Sequence, residues 1–536
     1  MSLKELPSRP NLEQYKKQAK DLLKQAKSAD PAAFERLKRF HRGYAASPAA
    51  KFRLADAQFV IAREHGFESW PKLAKQIEVE NFKLKTSLSD PANAFIEAAC
   101  VPLEGWHASG TLDGAEAILA KHPEVARANI YTAAILGDEA AVRRFLAVDP
   151  KSATAKSGLR DWDALTYLCF SRYLRIDRSR SAGFVRAATA LLDAGANPNT
   201  GWYERNHQPD PGWECVLYGA AGLARNADLT RLLLERGADP NDGETPYHSP
   251  EGYDNAALKV IVESGKLNDQ SLTTMLIRKA DWHDYDGMGY LLEHGANPNQ
   301  MTVWGITALH QALRRDNGIK IIELLLDHGA NPVLENRNRD SATAIAARRG
   351  RGDILDLFER RNIPLDLHGV DQLIAACARN DNAGIRAIII GEPDLVQKLL
   401  SQGGTLLAQF AGNGNTAGVR CLLDLGVRAS AMYEEGDPYF EVARKGTALH
   451  VAAWRAWPAT VKLLIERGAP VNATDAKGRT ALQLAVRACV DSYWTNRRSP
   501  ESVEMLLRAG ATLAGIDIPC GYEELDALLR AATGET

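Results

Sequence analysis

One phrase recurs along this chain and constrains what it can fold into. It reads Leu191-Leu192-Asp193-Ala194-Gly195-Ala196-Asn197-Pro198-Asn199, and it returns at Leu233–Asn241, Leu291–Asn299, Leu325–Pro332 and Leu464–Asn472. Leu506-Leu507-Arg508-Ala509-Gly510-Ala511 is a weaker copy. Each copy has the chemistry of a helix end. Two apolar residues face inward, Gly takes the left-handed position beyond the last turn, and Pro blocks continuation. Gly295 and Gly329 lie 34 residues apart, and a fixed period of that size predicts stacked repeats. At 536 residues the chain is too long for one compact core, a limit that stacking avoids because each unit packs only on its neighbours.

Partner phrases precede these ends: Gly305-Ile306-Thr307-Ala308-Leu309-His310, Gly446-Thr447-Ala448-Leu449-His450, Gly478-Arg479-Thr480-Ala481-Leu482 and Thr245-Pro246-Tyr247-His248. Thr can cap a helix by accepting a backbone N–H, and Pro or Ala suits the first helical position. The two phrases recurring in phase resemble the ankyrin repeat. That resemblance implies an all-α solenoid of helix-turn-helix units with finger loops between them. It covers residues 91–515 as about twelve units, several degenerate. Near Arg361-Asn362-Ile363-Pro364 an Asn stands for the Gly, which Asn can replace in a left-handed turn. The repeat pattern is weakest over 245–270. The resemblance also gives His248, His310 and His450 a structural, hydrogen-bonding role, and it places Gly412-Asn413-Gly414-Asn415 at a turn between helices.

Residues 1–90 differ. The pattern predicts helices from Leu12 to about Lys27, from Pro31 to about His41, from about Arg53 to His65, and a fourth capped by Ser69. This segment resembles a leader found ahead of bacterial ankyrin arrays and reads as a small helical module or cap. It carries about 18 Lys/Arg against 11 Asp/Glu, whereas the whole chain has a net charge of −2. Lys16, Lys17, Lys20, Lys24 and Lys27 share overlapping faces of one helix, so a nucleic-acid-associated regulator is an alternative reading. At the other end, residues 516–536 read as a capping helix, Tyr522 to Arg530, and a short tail.

The seven cysteines form no Cys-x-x-Cys pair and sit mainly in apolar runs, which suits a reducing compartment. No signal-peptide core and no membrane-length apolar run is present in the sequence, so the expectation is a cytoplasmic protein. It shows no Gly-rich phosphate loop, no His-Glu-x-x-His and no Gly-x-Ser-x-Gly. Asp281-Trp282-His283-Asp284-Tyr285-Asp286 reads as a solvated turn between helices in preference to a metal site. The sequence therefore points to no catalytic residue, no cofactor and no metal. An enzyme with a site between inserted loops is the third and weakest reading.

The insertions carry the functional expectation. Gly195 to Gly237, Gly426 to Gly468 and Gly468 to Gly510 each span 42 residues, and the excess falls in loops rich in aromatic residues. The third excess, Asp491–Arg498, lies between the helices of its unit, and a similar insertion is Arg172–Arg180. Such insertions often gather on a binding face, and Trp and Tyr commonly anchor interfaces. Trp202, Tyr203, Trp213, Trp304, Tyr433, Tyr439, Phe440 and Trp494 are the expected partner-binding residues of a non-enzymatic protein-interaction scaffold that uses its concave face and finger loops.

Overall fold

The recurring phrase folds as a helix stop. After the helix Tyr285–Glu293, the Gly295 N–H donates to Leu292 O at 3.2 Å and the Ala296 N–H to Leu291 O at 3.0 Å. Gly295 has φ +94° and Ala296 is buried, which is the Schellman ending with its apolar contact. Asn362 takes φ +56° and the Ile363 N–H donates to Phe358 O at 2.9 Å, so Asn does replace Gly there.

The last Asn of the phrase has a separate task. Asn299 Nδ2 donates to Gly329 O at 2.7 Å, and its Oδ1 accepts the Asn331 N–H at 2.6 Å. Asn199, Asn241 and Asn472 make the same pair of bonds one repeat onward. The side-chain amide copies a peptide group and ties each turn to the next. Asn299→Ala is expected to cost about 1 kcal/mol in chemical denaturation, since exposed bonds net little each. A change indistinguishable from zero would remove the latch from the account.

The computed structural model describes residues 12–27, 54–77, 90–158, 160–204 and 212–533, together with Asp30, Ala33, Arg36 and Leu37. Apart from Ala33, Arg36 and Leu37, which are helical, the helix expected from Pro31 to about His41 lies outside these, as do the chain's last three residues. The chain divides into two compact units, Met1–Asp239 and Pro240–Thr536.

In the first unit, the helices Leu12–Lys27 and Leu54–Glu64 and a third over 70–77 bury Tyr15, Leu22, Val60, Ile61, Leu73 and Ile77 against one another. Arg36 makes a two-bond pair with Glu64 at 2.7 and 2.9 Å. Repeat helices follow from Pro91–Ala99 to Ala227–Glu235. Adjacent inner helices, such as Ile130–Ile135 and Ala164–Cys169, pack together, as do outer ones such as Glu139–Val148 and Ser181–Asp193.

The second unit repeats this arrangement from Glu244–His248 to Glu501–Arg508 and ends in the helix Glu523–Thr533. Inner helices Asp269–Asp281, Ala308–Arg314 and Ala342–Arg348 pack in series, and one continuous apolar core runs from Leu258 to Leu529. The capping helix packs Leu525 and Leu529 into that core.

The all-α reading describes the repeats, while the inserted loops add short antiparallel pairs. Gly201–Glu204 pairs with Gly212–Cys215, and Met432–Tyr433 with Gly446–Thr447. Thr307, Thr447 and Thr480 cap their helices as expected, each in a reciprocal box with the residue three positions on. Thr245 does not. Its helix starts one residue earlier, and Asp242 accepts the Thr245 N–H at 2.6 Å.

Candidate binding surface

Three histidines test the structural expectation. His310 Nδ1 meets the Thr307 N–H at 3.1 Å and its Nε2 meets Leu334 O at 2.9 Å. His450 does the same with Thr447 and Ala473, each at 3.0 Å. Burial pushes both imidazoles below their ordinary pKa, so they stay neutral and bridge a helix start to the next turn. His248 departs from this pattern. Burial would lower it, but Glu244 at 3.2 Å and Glu251 at 3.0 Å outweigh that effect and raise it to about 9.

Burial pushes the Cys100 and Cys377 thiols up to about 12, far from a reactive thiolate. The turn at Asp281–Asp286 does join two helices and exposes His283, Tyr285 and Asp286, but its carboxylates Asp281 and Asp284 are covered. Asp281 holds Arg315 at 2.6 Å and Gln311 at 2.6 Å, and Asp284 holds the fully buried Lys279 at 2.7 Å. Both carboxylates are buried because they are paired.

The loop aromatics divide into two groups. In the first unit Trp202 is buried, tilted on Trp162 at 5.2 Å and edge-on to Phe170 at 5.8 Å. Tyr203 is exposed and rests on the half-buried Trp213 at 4.6 Å. In the second unit Tyr433, Phe440 and Trp494 are buried and Tyr439 is half-buried. Phe440, Trp454 and Trp494 form their own small core, fixed by Trp454 Nε1 donating to Phe440 O at 2.6 Å. Trp304 alone among the second unit's candidates stands out, 41% exposed at the tip of a tight finger where Gly305 N–H donates to Thr302 O at 2.8 Å. The expectation of exposed rings is thus corrected at Trp202, Tyr433, Phe440 and Trp494. A large ring in a loop this close to helix ends gains more by covering them than by facing water.

Charged residues that the sequence reading passed over organise the second unit's inner face. Asp316 follows the helix Ala308–Arg314 and is almost wholly buried. Arg349 grips it with two bonds at 2.5 and 2.7 Å, Asn413 donates at 2.9 Å and Arg455 at 3.2 Å. Arg455 in turn lies 3.9 Å over Phe440, and Arg315 lies 3.8 Å over Tyr439. Tyr439 Oη donates to Asp281 O at 2.5 Å. The 432–447 insertion is therefore strapped onto the inner helices. A signal for this existed in the chain: Arg314-Arg315 and Arg348-Arg349 recur 34 positions apart, the repeat period itself.

Among the described residues His107, Glu204 and Glu214 form the one grouping whose ligand atoms come together, within 4.8 Å. The two carboxylates face different ring nitrogens, Glu204 near Nε2 at 3.7 Å and Glu214 near Nδ1 at 3.9 Å, and Tyr218 Oη also meets Nδ1 at 3.1 Å. An imidazole strung between two carboxylates suits a polar link from the hairpin to its repeat better than three ligands converging on one ion.

Repeats of paired helices joined by fingers define the class of protein. Residues 276–363 match a family model for ankyrin repeats (3 copies), and residues 449–507 match one for ankyrin repeats (many copies). These two stretches of the chain carry ankyrin repeats. The chain is 31% identical over 192 residues to an ankyrin repeat-containing protein of Treponema pallidum (strain Nichols), covering 33% of this chain and 58% of that one. It is 27% identical over 190 residues to the mitochondrial disaggregase of Bos taurus, covering 34% of this chain and 23% of that one. The chain thus spans about a quarter to somewhat over half the length of these relatives. The crystal structure of the human ASB11 ankyrin repeat domain is 23% identical, covers 48% of this chain and 93% of that one, and superposes with a TM-score of 0.21. No helix among the described residues is long and apolar enough to cross a membrane.

Proposed function

We propose that this protein is a non-enzymatic scaffold that binds a protein partner on the concave face and finger loops of its repeats. Ankyrin repeats are generally protein–protein interaction modules. The observation that carries the reading is the rigidly held inner face. Its charged groups pair with one another across several repeats through Asp316, Arg349, Asn413 and Arg455, while Trp304 is left standing out beside them. A preformed surface loses little conformational freedom on binding, which favours a scaffold. The buried neutral histidines and unreactive thiols supply no acid, base or nucleophile poised over a cleft.

The test is affinity capture from extract of the native cell. The intact chain is compared with a variant in which the outward rings are removed, Tyr203→Ala, Trp213→Ala and Trp304→Ala. At least one captured protein is expected to drop several-fold in recovery, as when interface anchors are truncated. Identical partners at undiminished recovery would count against this face. No captured protein at all would count against the scaffold.

A further inference from the structure

Two adjoining cavities of about 260 and 270 Å³ open on the second unit's inner face, and they share Trp304, Ile306 and Arg314 in their walls. Arginines crowd them: Arg278, Arg314 and Arg315 on one side, Arg337, Arg348 and Arg349 on the other. Four of these are committed to carboxylates. Arg278 and Arg315 bind Asp281, Arg348 binds Asp371 at 2.7 Å, and Arg349 binds Asp316. Arg314 and Arg337 are exposed, and neither forms an ion pair with a described residue. Arg337 is held in place by donating to Val303 O at 2.8 Å, and its N–H donates to Gly305 O at 2.9 Å, so it is fixed across the base of the Trp304 finger. The cavity walls partly desolvate the Arg314 head group, though the side chain as a whole is exposed. That desolvation, and then the positive charges of Arg315 and Arg349, push it below its ordinary pKa. A guanidinium among like charges gains from a bound anion.

The fixed parts have a definite chemistry: one aromatic plate, a buried Ile306, and two guanidinium groups that pair with no carboxylate among the described residues. Building on the scaffold reading, we propose that this groove receives an extended acidic peptide segment of a protein partner, with Asp or Glu carboxylates on Arg314 and Arg337 and an apolar side chain on Trp304. Arg–carboxylate pairs are strong and directional when the guanidinium is preplaced. An extended peptide sends alternate side chains to one side, which suits two side-chain-sized cavities sharing a wall. A nucleic acid fits less well. It needs a basic stripe tracking successive phosphates, whereas Asp281 and Asp340 line these cavities between the arginines.

The test is fluorescence anisotropy on the full chain with three fluorescein-labelled probes of equal length. They are a synthetic peptide of Glu, Ser and Leu, its counterpart with Lys for Glu, and oligo(dT). The protein variants are Arg314→Glu, Arg337→Glu and Trp304→Ala. Arg386→Glu, an exposed change on the helix Asn382–Gly391, is the control. The acidic peptide is expected to bind. Its affinity should fall about tenfold or more in Arg314→Glu, fall measurably in the other two, and hold in the control, as for loss of a close charge pair. Circular dichroism is expected to be the same for all variants, because the altered side chains are exposed. Undiminished binding in both Arg314→Glu and Trp304→Ala, no binding of the acidic peptide, or tighter binding of oligo(dT) with the same sensitivity would each overturn the assignment. Crosslinking mass spectrometry in native extract separates this failure from that of the scaffold. Partners that crosslink elsewhere, unaffected by Arg314→Glu, leave the scaffold standing and remove the groove; absence of any partner removes the scaffold itself.

Discussion

Asp316→Ala is expected to destabilise the second unit by about 3–5 kcal/mol, the range found when one member of a buried ion pair is removed. The carboxylate is 2% exposed and the arginines it serves, Arg349 and Arg455, are 12% and 8% exposed. Without it those guanidinium groups face each other in a setting with little water, and neither can be deprotonated at neutral pH. A double change, Asp316→Leu with Arg349→Met, is expected to recover much of the loss, because well-packed apolar groups can replace a buried pair at little cost. The pH dependence follows from the same contacts. Burial alone would raise the Asp316 carboxyl, but Arg349, then Arg455 and Asn413, overcome it and hold it well below the usual carboxylate range. A depressed carboxyl contributes stability above its unfolded pKa, ~4, and loses it as pH falls further. Urea denaturation at pH 7 and pH 3 is the measurement. The wild-type chain should lose part of the Asp316 contribution between pH 7 and pH 3, and the Asp316→Ala chain should lack that part of the acid sensitivity. A loss below about 1 kcal/mol at pH 7 would show that the arginines are hydrated in solution and the cluster is ornamental.

The helix ends and starts were legible because their chemistry is local. A left-handed Gly, a blocking Pro and a Thr three residues before a His each act within one turn, and the phrase announces them directly. The helix Leu12–Lys27 and the structural role of His310 and His450 were legible for the same reason. What the chain concealed depends on distant partners. Phe440 is covered because Trp454 and Trp494 come to lie on it, and nothing in Tyr439-Phe440 itself distinguishes an outward ring from an inward one. Asp316 meets Arg349 33 residues on and Arg455 139 residues on. His107 meets Tyr218 111 residues away. Trp304 stayed outward because its finger is too short to fold back: Thr302 N–H donates to Ile306 O at 3.1 Å, closing the turn beneath the ring.

The weakest stretch of the repeat pattern, 245–270, is where polar contacts stand in for the missing apolar ones, and the second large effect is expected there. The helix Glu244–His248 is only 5 residues long and is followed by irregular chain before Ala256–Glu263. Lys279, from the next inner helix, is fully buried and donates to Gly252 O at 2.8 Å and to Asp284 at 2.7 Å. Asn255 donates to the same carboxylate at 2.9 Å, so one buried ammonium and one carboxylate hold the irregular segment to its neighbour. Space is tight around them. A Cβ added at Gly287 would come within 2.7 Å of Lys279 Cε, so the lysine stem packs directly on the Gly287 backbone. Lys279→Met keeps the volume and deletes the charge. It is expected to cost about 3–5 kcal/mol, because Asp284 keeps its bonds from Asn255 and the Gly287 N–H but loses the Lys279 bond and its counter-charge. The sign of the pH effect is the check on that cause. Burial alone would raise the Asp284 carboxyl, and Lys279 leads the contacts that bring it below its ordinary value. Removing Lys279 lets that carboxyl rise and take up a proton more readily, so the deficit of Lys279→Met should shrink as pH falls below ~4. A deficit of the same size at pH 7 and pH 3 would assign the loss to packing instead. In that case Lys279→Met combined with Asp284→Asn should be no more stable than the single variant, whereas the charge account requires it to be more stable.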